Sequence, residues 1–241
     1  MKKINNGFLY VASKDKIFLT AARYSVTSLK DYWPESHVTL FTHKDWVKEE
    51  DYELFDNIVT KDVPNHARAK LWALDKTPYK LTCYMDADTV IQHSNIKNIF
   101  KQFKKSSDIT LTRARSYAAS IDPTFSEGEL TDHCGLFIYN DKPRTLNFMK
   151  NWWKLFNKQI QGKWQWDTKK YPEYFRQFDM WTYWWLQNKT DLKIKRSFFS
   201  KPDAIWNFVY TYKDEEAEGK DIIIYHQPVP RSEMNQWNNL K

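Results

Sequence analysis

The sequence predicts an α/β fold, with a mostly parallel mixed central sheet flanked by helices. Three observations predict it. Short apolar runs recur along the chain and are continuous rather than alternating, as expected of strands covered on both faces. Amphipathic helical patterns fall between these runs, so strand and helix alternate as they do in crossover units. No Gly/Ser linker, internal repeat or low-complexity tract interrupts the 241 residues, so 1–241 reads as a single domain.

Strands are expected at Gly7–Ala12, His37–Thr42, Asn57–Thr60, Lys80–Met85, Asp108–Thr112, Gly135–Tyr139 and Asp221–Tyr225. A helix over Phe18–Tyr32, stopped by Pro34, places Leu19, Ala22, Val26 and Leu29 on one face. Helical patterns also cover Ala67–Asp75, Asn95–Phe103, Pro143–Phe156 and Pro172–Gln187. The second half is less regular, with a polar loop at Ser116–Thr131 and an aromatic-rich stretch from Trp152 to Trp185.

Hydrophobic residues at 41% and aromatics at 17% support a packed core and exclude a disordered chain. The net charge of +7 suggests an anionic partner, whether a phosphorylated ligand, an acidic surface or nucleic acid, but a mildly basic balance with scattered lysines is by itself more often a solvated surface. Only five glycines occur, so the chain has no Gly-rich phosphate loop. Any phosphate must instead be held by a metal and cationic side chains. Cys83 and Cys134 lack metal-ligand spacing and read as buried free thiols in a reducing compartment. No apolar run approaches the ~20 residues that cross a bilayer. A cytoplasmic protein, free or peripheral to a membrane, is expected.

Chemistry concentrates at Asp86–Ala87–Asp88. The apolar run Leu81–Met85 leads into Asp86, and Val90 and Ile91 resume a strand-like pattern behind Asp88. Two-residue spacing in an extended chain puts both carboxylates on one side, at the carboxyl end of a strand where α/β sheets bind ligands. Two hard oxygen ligands suit Mn²⁺ or Mg²⁺, completed by phosphate oxygens and water.

The uninterrupted segment from Lys70 to Val90, with a lysine, a short helix and a strand ending in Asp-Ala-Asp-Thr, resembles the donor-site segment of glycosyltransferase family 8. That family includes glycogenin and the lipopolysaccharide galactosyltransferases. The resemblance implies a GT-A fold on one Rossmann-like sheet, with 1–115 as the nucleotide-sugar donor half and 116–241 as the acceptor half. It implies that Asp86 and Asp88 hold the metal, with Asp86 also near the donor's ribose or sugar. Lys70 then faces the donor sugar and phosphates, assisted by Arg68.

Further segments extend the resemblance. Tyr10-Val11-Ala12-Ser13 is similar to the family's first strand, whose end contacts base and ribose. Asp132-His133-Cys134-Gly135 is similar to a strand bordering the donor sugar and acceptor, with His133 standing where the family has asparagine. Phe178-Asp179 resembles the start of a Phe-Asp-Gln motif in which the aspartate sits beside the transferred sugar, and Met180 replaces the glutamine. Ile222–His226 resembles a late strand ending in a metal-binding histidine, and Arg231 is the candidate for a lysine that contacts the diphosphate.

The implied activity is transfer of a hexose from a nucleotide sugar, a UDP-sugar by resemblance, to an acceptor hydroxyl with retention. The acceptor class, glycan, lipid-linked or protein, is left open. A sugar-1-phosphate nucleotidyltransferase would open with a Gly-rich, Arg-containing loop, where this chain reads Ser13-Lys14-Asp15-Lys16-Ile17. A nucleic-acid-binding role would leave the acidic strand end unexplained, because paired aspartates repel phosphate unless a metal intervenes. No nucleic-acid partner is therefore expected. The aromatics between Trp164 and Trp185 divide between core and acceptor groove. Asp122, Glu127 and Glu129 read as solvated loop carboxylates, and His37, His43, His66 and His93 receive no role.

Overall fold

A computed structural model of the chain describes residues 3–114, 132–165, 178–209 and 215–226. Arg231, the loop carboxylates of 116–131 and the aromatics at 166–177 lie outside the described residues.

The main sheet uses β1 (Ile4–Val11), β2 (Val38–Phe41), β3 (Asn57–Val59), β4 (Tyr79–Met85), β6 (Ile109–Arg113), β7 (Asp132–Asn140) and β8 (Arg196–Phe198). Its strand order is β3-β2-β1-β4-β7-β6-β8. Neighbours are parallel except at β7, which runs antiparallel to β4 and β6. The mostly parallel mixed sheet is therefore as expected.

Continuous apolar strands arise because both faces are covered. Phe8 and Tyr10 of β1 point to α1 (Ile17–Tyr32), which buries Leu19, Ala22, Val26 and Leu29. Leu9 points the other way, into a core with Tyr84, Phe137 and α4 (Pro143–Ile160), which buries Phe148, Met149 and Trp152. Each fully buried residue of this size stabilises the fold by roughly 1.5–3 kcal/mol through lost apolar exposure. Between these helices lie two single-turn helices, α2 (Asp51–Leu54) and α3 (Lys70–Ala73).

The helix expected at Ala67–Asp75 is reduced to α3 followed by a 3₁₀ turn over Leu74–Lys76. Tight i→i+3 bonds occupy the preceding segment, with Ala69 N bonded to His66 O at 3.0 Å and Trp72 N to Ala69 O at 3.0 Å. Pro78 bars any continuation. Ser94–Gln102 is likewise 3₁₀ rather than α-helical. α5 (Asp179–Lys189) closes the helical set.

A second, three-stranded sheet is added by β5 (Thr89–Ile91), β9 (Phe208–Val209) and β10 (Ile224–His226), in the order β5-β10-β9. β10 overlaps the strand expected at Asp221–Tyr225 and β5 covers the strand-like Val90 and Ile91, whereas the two-residue β9 carries too little pattern to read in advance. No helix among the described residues is long and apolar enough to cross a membrane.

Candidate metal and nucleotide site

Asp86, Ala87 and Asp88 lie in the turn between β4 and β5, not in an extended strand. The carboxylates converge because the turn is pinned at both ends. Asp86 N donates to Gly135 O at 2.8 Å, and Thr89 Oγ1 donates to Asp86 O at 3.0 Å. Pairing of β5 with β10 then brings His226 opposite Thr89. One ligand atom from each of Asp86, Asp88 and His226 lies within 4.8 Å of the others. His226 Nε2 is 3.3 Å from Asp88 Oδ1 and 3.8 Å from Asp86 Oδ2. Two carboxylates and an imidazole suit Mn²⁺ and are compatible with Mg²⁺.

The turn opens into a cleft of about 530 Å³ lined by residues that include Val11, Ser13, Arg68, Lys70, Asp86 and Asp88. Lys70 is 5% exposed. Its ammonium contacts Asp86 Oδ1 at 3.0 Å, Asp179 Oδ2 at 3.0 Å and the Cys134 carbonyl at 2.9 Å. Arg68 Nε lies 3.8 Å from Asp179 Oδ1. Burial alone would push the Lys70 ammonium down, but Asp179 and Asp86 raise it overall, so Lys70 stays a cation. Burial likewise pushes the Asp179 carboxyl up, yet Lys70 and Arg68 bring it down to about 2. Its place in the first turn of α5 also favours the anion. The same turn is fixed by Trp152 Nε1, which donates to Asp179 O at 3.0 Å.

Asp86, Asp88 and His226 act on one another electrostatically. Burial opposes the Asp88 anion, but His226 holds that carboxyl below the usual range. Burial opposes the His226 cation, and Asp88 with Asp86 raises the imidazole above its ordinary value. Tyr84 is raised well above a normal phenol by burial and by Asp86, and donates its hydroxyl to Asp86 Oδ1.

The strand end Tyr10–Ser13 divides. Val11 and Ser13 line the cleft, while Tyr10 and Ala12 face the α1 core, where Tyr10 shares a hydrogen bond with Ser25 at 3.0 Å. Period-two alternation is the signal that separates them. His133 is not among the cleft-lining residues; its ring lies beside that of His226, with centroids 5.4 Å apart. Ala87 lines the cleft, as do Lys14, His66, Phe156 and Ile160, which sequence reasoning had not placed there. Lys14 adopts the left-handed region at φ 72°, turning the chain away from the end of β1. His66 Nδ1 accepts the Arg68 amide at 2.9 Å. Burial, Lys14 and Arg68 all lower its imidazole, leaving it neutral. Of the aromatic set, Trp181, Tyr183 and Trp184 are buried core, with Trp181 and Trp184 stacked at 5.1 Å.

No protein-family model matches the sequence, and no curated protein matches it. Solved structures do. Galactosyltransferase LgtC, in complex with donor and acceptor sugar analogues, matches with a TM-score of 0.59 at 10% identity, over 97% of this chain and 94% of that one. Glycosyltransferase GlyE of Streptococcus pneumoniae TIGR4 gives 0.63 at 14% identity, over 98% of this chain and 60% of that one. Mouse xyloside xylosyltransferase 1 gives 0.55 at 13% identity, over 94% and 100%. At these identities the likeness is one of fold.

Proposed function

We propose, from the GT-A glycosyltransferase fold that this chain has, that it transfers a hexose from a nucleoside diphosphate sugar, UDP-linked in the first instance, to an acceptor hydroxyl. One observation carries the reading: Asp86 and Asp88, which converge with His226, line a cleft that also holds Lys70 and Arg68. A bound Mn²⁺ or Mg²⁺ would neutralise charge on the departing diphosphate.

The chain's own residues supply the rest. Lys70 and Arg68 offset the negative charge of the donor and orient it. Arg231 is proposed to add a cation from the segment after β10. Val11 and Ser13 offer a surface for base and ribose. Asp179, ionised at a pKa of about 2, is too weak a base to take a proton and is suited to accept a hydroxyl of the transferred sugar.

The carboxylates described at the cleft are engaged, Asp86 and Asp88 with His226 and Asp179 with two cations. No carboxylate among the described residues stands out as a covalent nucleophile, and retention by front-face attack is the route proposed. The bond from the anomeric carbon to the diphosphate breaks, the bond to the acceptor oxygen forms, and the acceptor proton passes to the leaving phosphate.

The test is a thermal-shift screen of UDP-, GDP- and dTDP-sugars with and without Mn²⁺, followed by assay of hydrolysis and transfer. Stabilisation by one nucleotide class, enhanced by Mn²⁺, is expected. No stabilisation by any of them, together with salt-sensitive binding of single-stranded nucleic acid, would overturn the proposal.

A further inference from the structure

Beneath Asp86, Asp88 and His226 lies a polar chain formed by the buried Thr112, Asn207 and His226 and the half-buried His133. Asn207 is 4% exposed and touches all three of the others. Its Oδ1 is 2.9 Å from His226 Nδ1, while its Nδ2 is 3.0 Å from Thr112 Oγ1 and 2.9 Å from His133 Nδ1.

The direction of each hydrogen bond follows from two backbone groups that have no choice of role. The Gly135 amide can only donate, and it points at His133 Nδ1 at 3.1 Å. That nitrogen is therefore an acceptor, its one lone pair shared between the Gly135 and Asn207 N–H groups, and the His133 proton is assigned to Nε2. Thr112 Oγ1 accepts from Asn207 Nδ2 at 3.0 Å, and its own hydrogen points to the Leu136 carbonyl 3.5 Å away. With Nδ2 facing these two acceptors, the Asn207 amide is assigned with its Oδ1 towards His226. Its Oδ1 must then accept, and His226 Nδ1 must carry a hydrogen. The remaining His226 nitrogen, Nε2, is the one that faces Asp88 and Asp86.

We propose that Asn207 is a positioning residue for the metal: held by His133 and Thr112, it fixes the His226 ring and presents the Nε2 lone pair to the ion. The proposal rests on the metal reading above. It also gives His133 a different task from a contact with the donor sugar. His133 here transmits the polarity of the Gly135 amide through Asn207 to a ligand on the other sheet. The chain joins β6 and β7 of the large sheet to β10 of the small one, so it also sets how the third ligand docks onto the first two. Groups hydrogen-bonded to a metal-bound histidine typically change metal affinity ten- to a hundredfold.

The test measures Mn²⁺ affinity of the full chain, and imidazole tautomers by ¹⁵N NMR at alkaline pH without metal. The parent should show His133 protonated on Nε2 and His226 on Nδ1. Asn207→Leu should weaken Mn²⁺ binding about ten- to a hundredfold. Asn207→Asp, which keeps an acceptor for His226 Nδ1, should restore binding to within a few-fold of the parent. Unchanged affinity in Asn207→Leu, or the opposite tautomers in the parent, would overturn the relay alone. A parent with the expected tautomers that binds no Mn²⁺ would instead overturn the metal reading on which it rests. Should Asn207→Leu fail to fold, the parent tautomers and the Asn207→Asp affinity still decide: an Asn207→Asp chain that loses binding as severely as an Asp88→Asn control overturns the relay.

Discussion

Lys70 Nζ and Asp179 Oδ2 form an ion pair at 3.0 Å in which both side chains are 6% exposed. A buried charge stripped of its partner costs far more than the pair contributes. Lys70→Met should therefore lower stability by about 3–5 kcal/mol in urea denaturation. Adding Asp179→Leu to that variant should recover much of the loss, because no orphaned anion then remains at that position. A Lys70→Met chain as stable as the parent would show that the pair does not stabilise the fold.

Acid should act through Asp179. Its carboxyl titrates near 2 in the folded chain, against an ordinary value of 3.8. A depressed folded value contributes stability that is fully present above the unfolded value and lost as pH falls through the folded one. The shift corresponds to about 2 kcal/mol lost across that window. Asp88, also depressed, adds in the same direction. Asp179→Asn should flatten stability against pH in this interval, and a slope equal to the parent's would refute the assignment.

Removal of the metal should be equivalent to removal of its carboxylates. Chelator, Asp86→Ala and Asp88→Ala should each reduce transfer from the donor sugar by about a thousandfold, the worth of several kcal/mol of charge stabilisation. Unmutated rates in those variants with chelator present would end the metal hypothesis.

Gly135 should tolerate no side chain. A Cβ there would stand 2.5 Å from His226 Cε1, 2.6 Å from His133 Cε1 and 2.8 Å from Asp86 Oδ2. Gly135→Ala must displace His226 or the strand. The expected result is weakened Mn²⁺ binding with a stability loss of about 1–3 kcal/mol, measured by titration and thermal unfolding. Parent-like Mn²⁺ affinity would show that the site accommodates the methyl group.

Much of the fold was legible because buried strands and amphipathic helices leave a pattern that local sequence carries. The run from Leu81 to Met85 reads as a covered strand, and β4 is one. The pattern of Leu19, Ala22, Val26 and Leu29 is the buried face of α1. The small sheet was not legible as a sheet, because β9 and β5 are too short to show alternation. Within Tyr10–Ser13, resemblance named four residues as one unit, whereas strand geometry sends Tyr10 and Ala12 into the core. Asn207 carried no signal at all. Its neighbours in sequence are unremarkable, and its partners come from three separate strands.

By itself the sequence determined the alternating α/β plan, the placement of two aspartates after an apolar strand, and the lysine upstream of them. These are short-range facts, set by side-chain periodicity and spacing. Only the tertiary structure decided that Asp86 and Asp88 converge through a turn, that β10 carries His226 to them, and that Asn207 hydrogen-bonds its ring. Those relationships depend on strand pairing between distant segments and on the direction of buried hydrogen bonds. Both are fixed only once the chain has removed those groups from water.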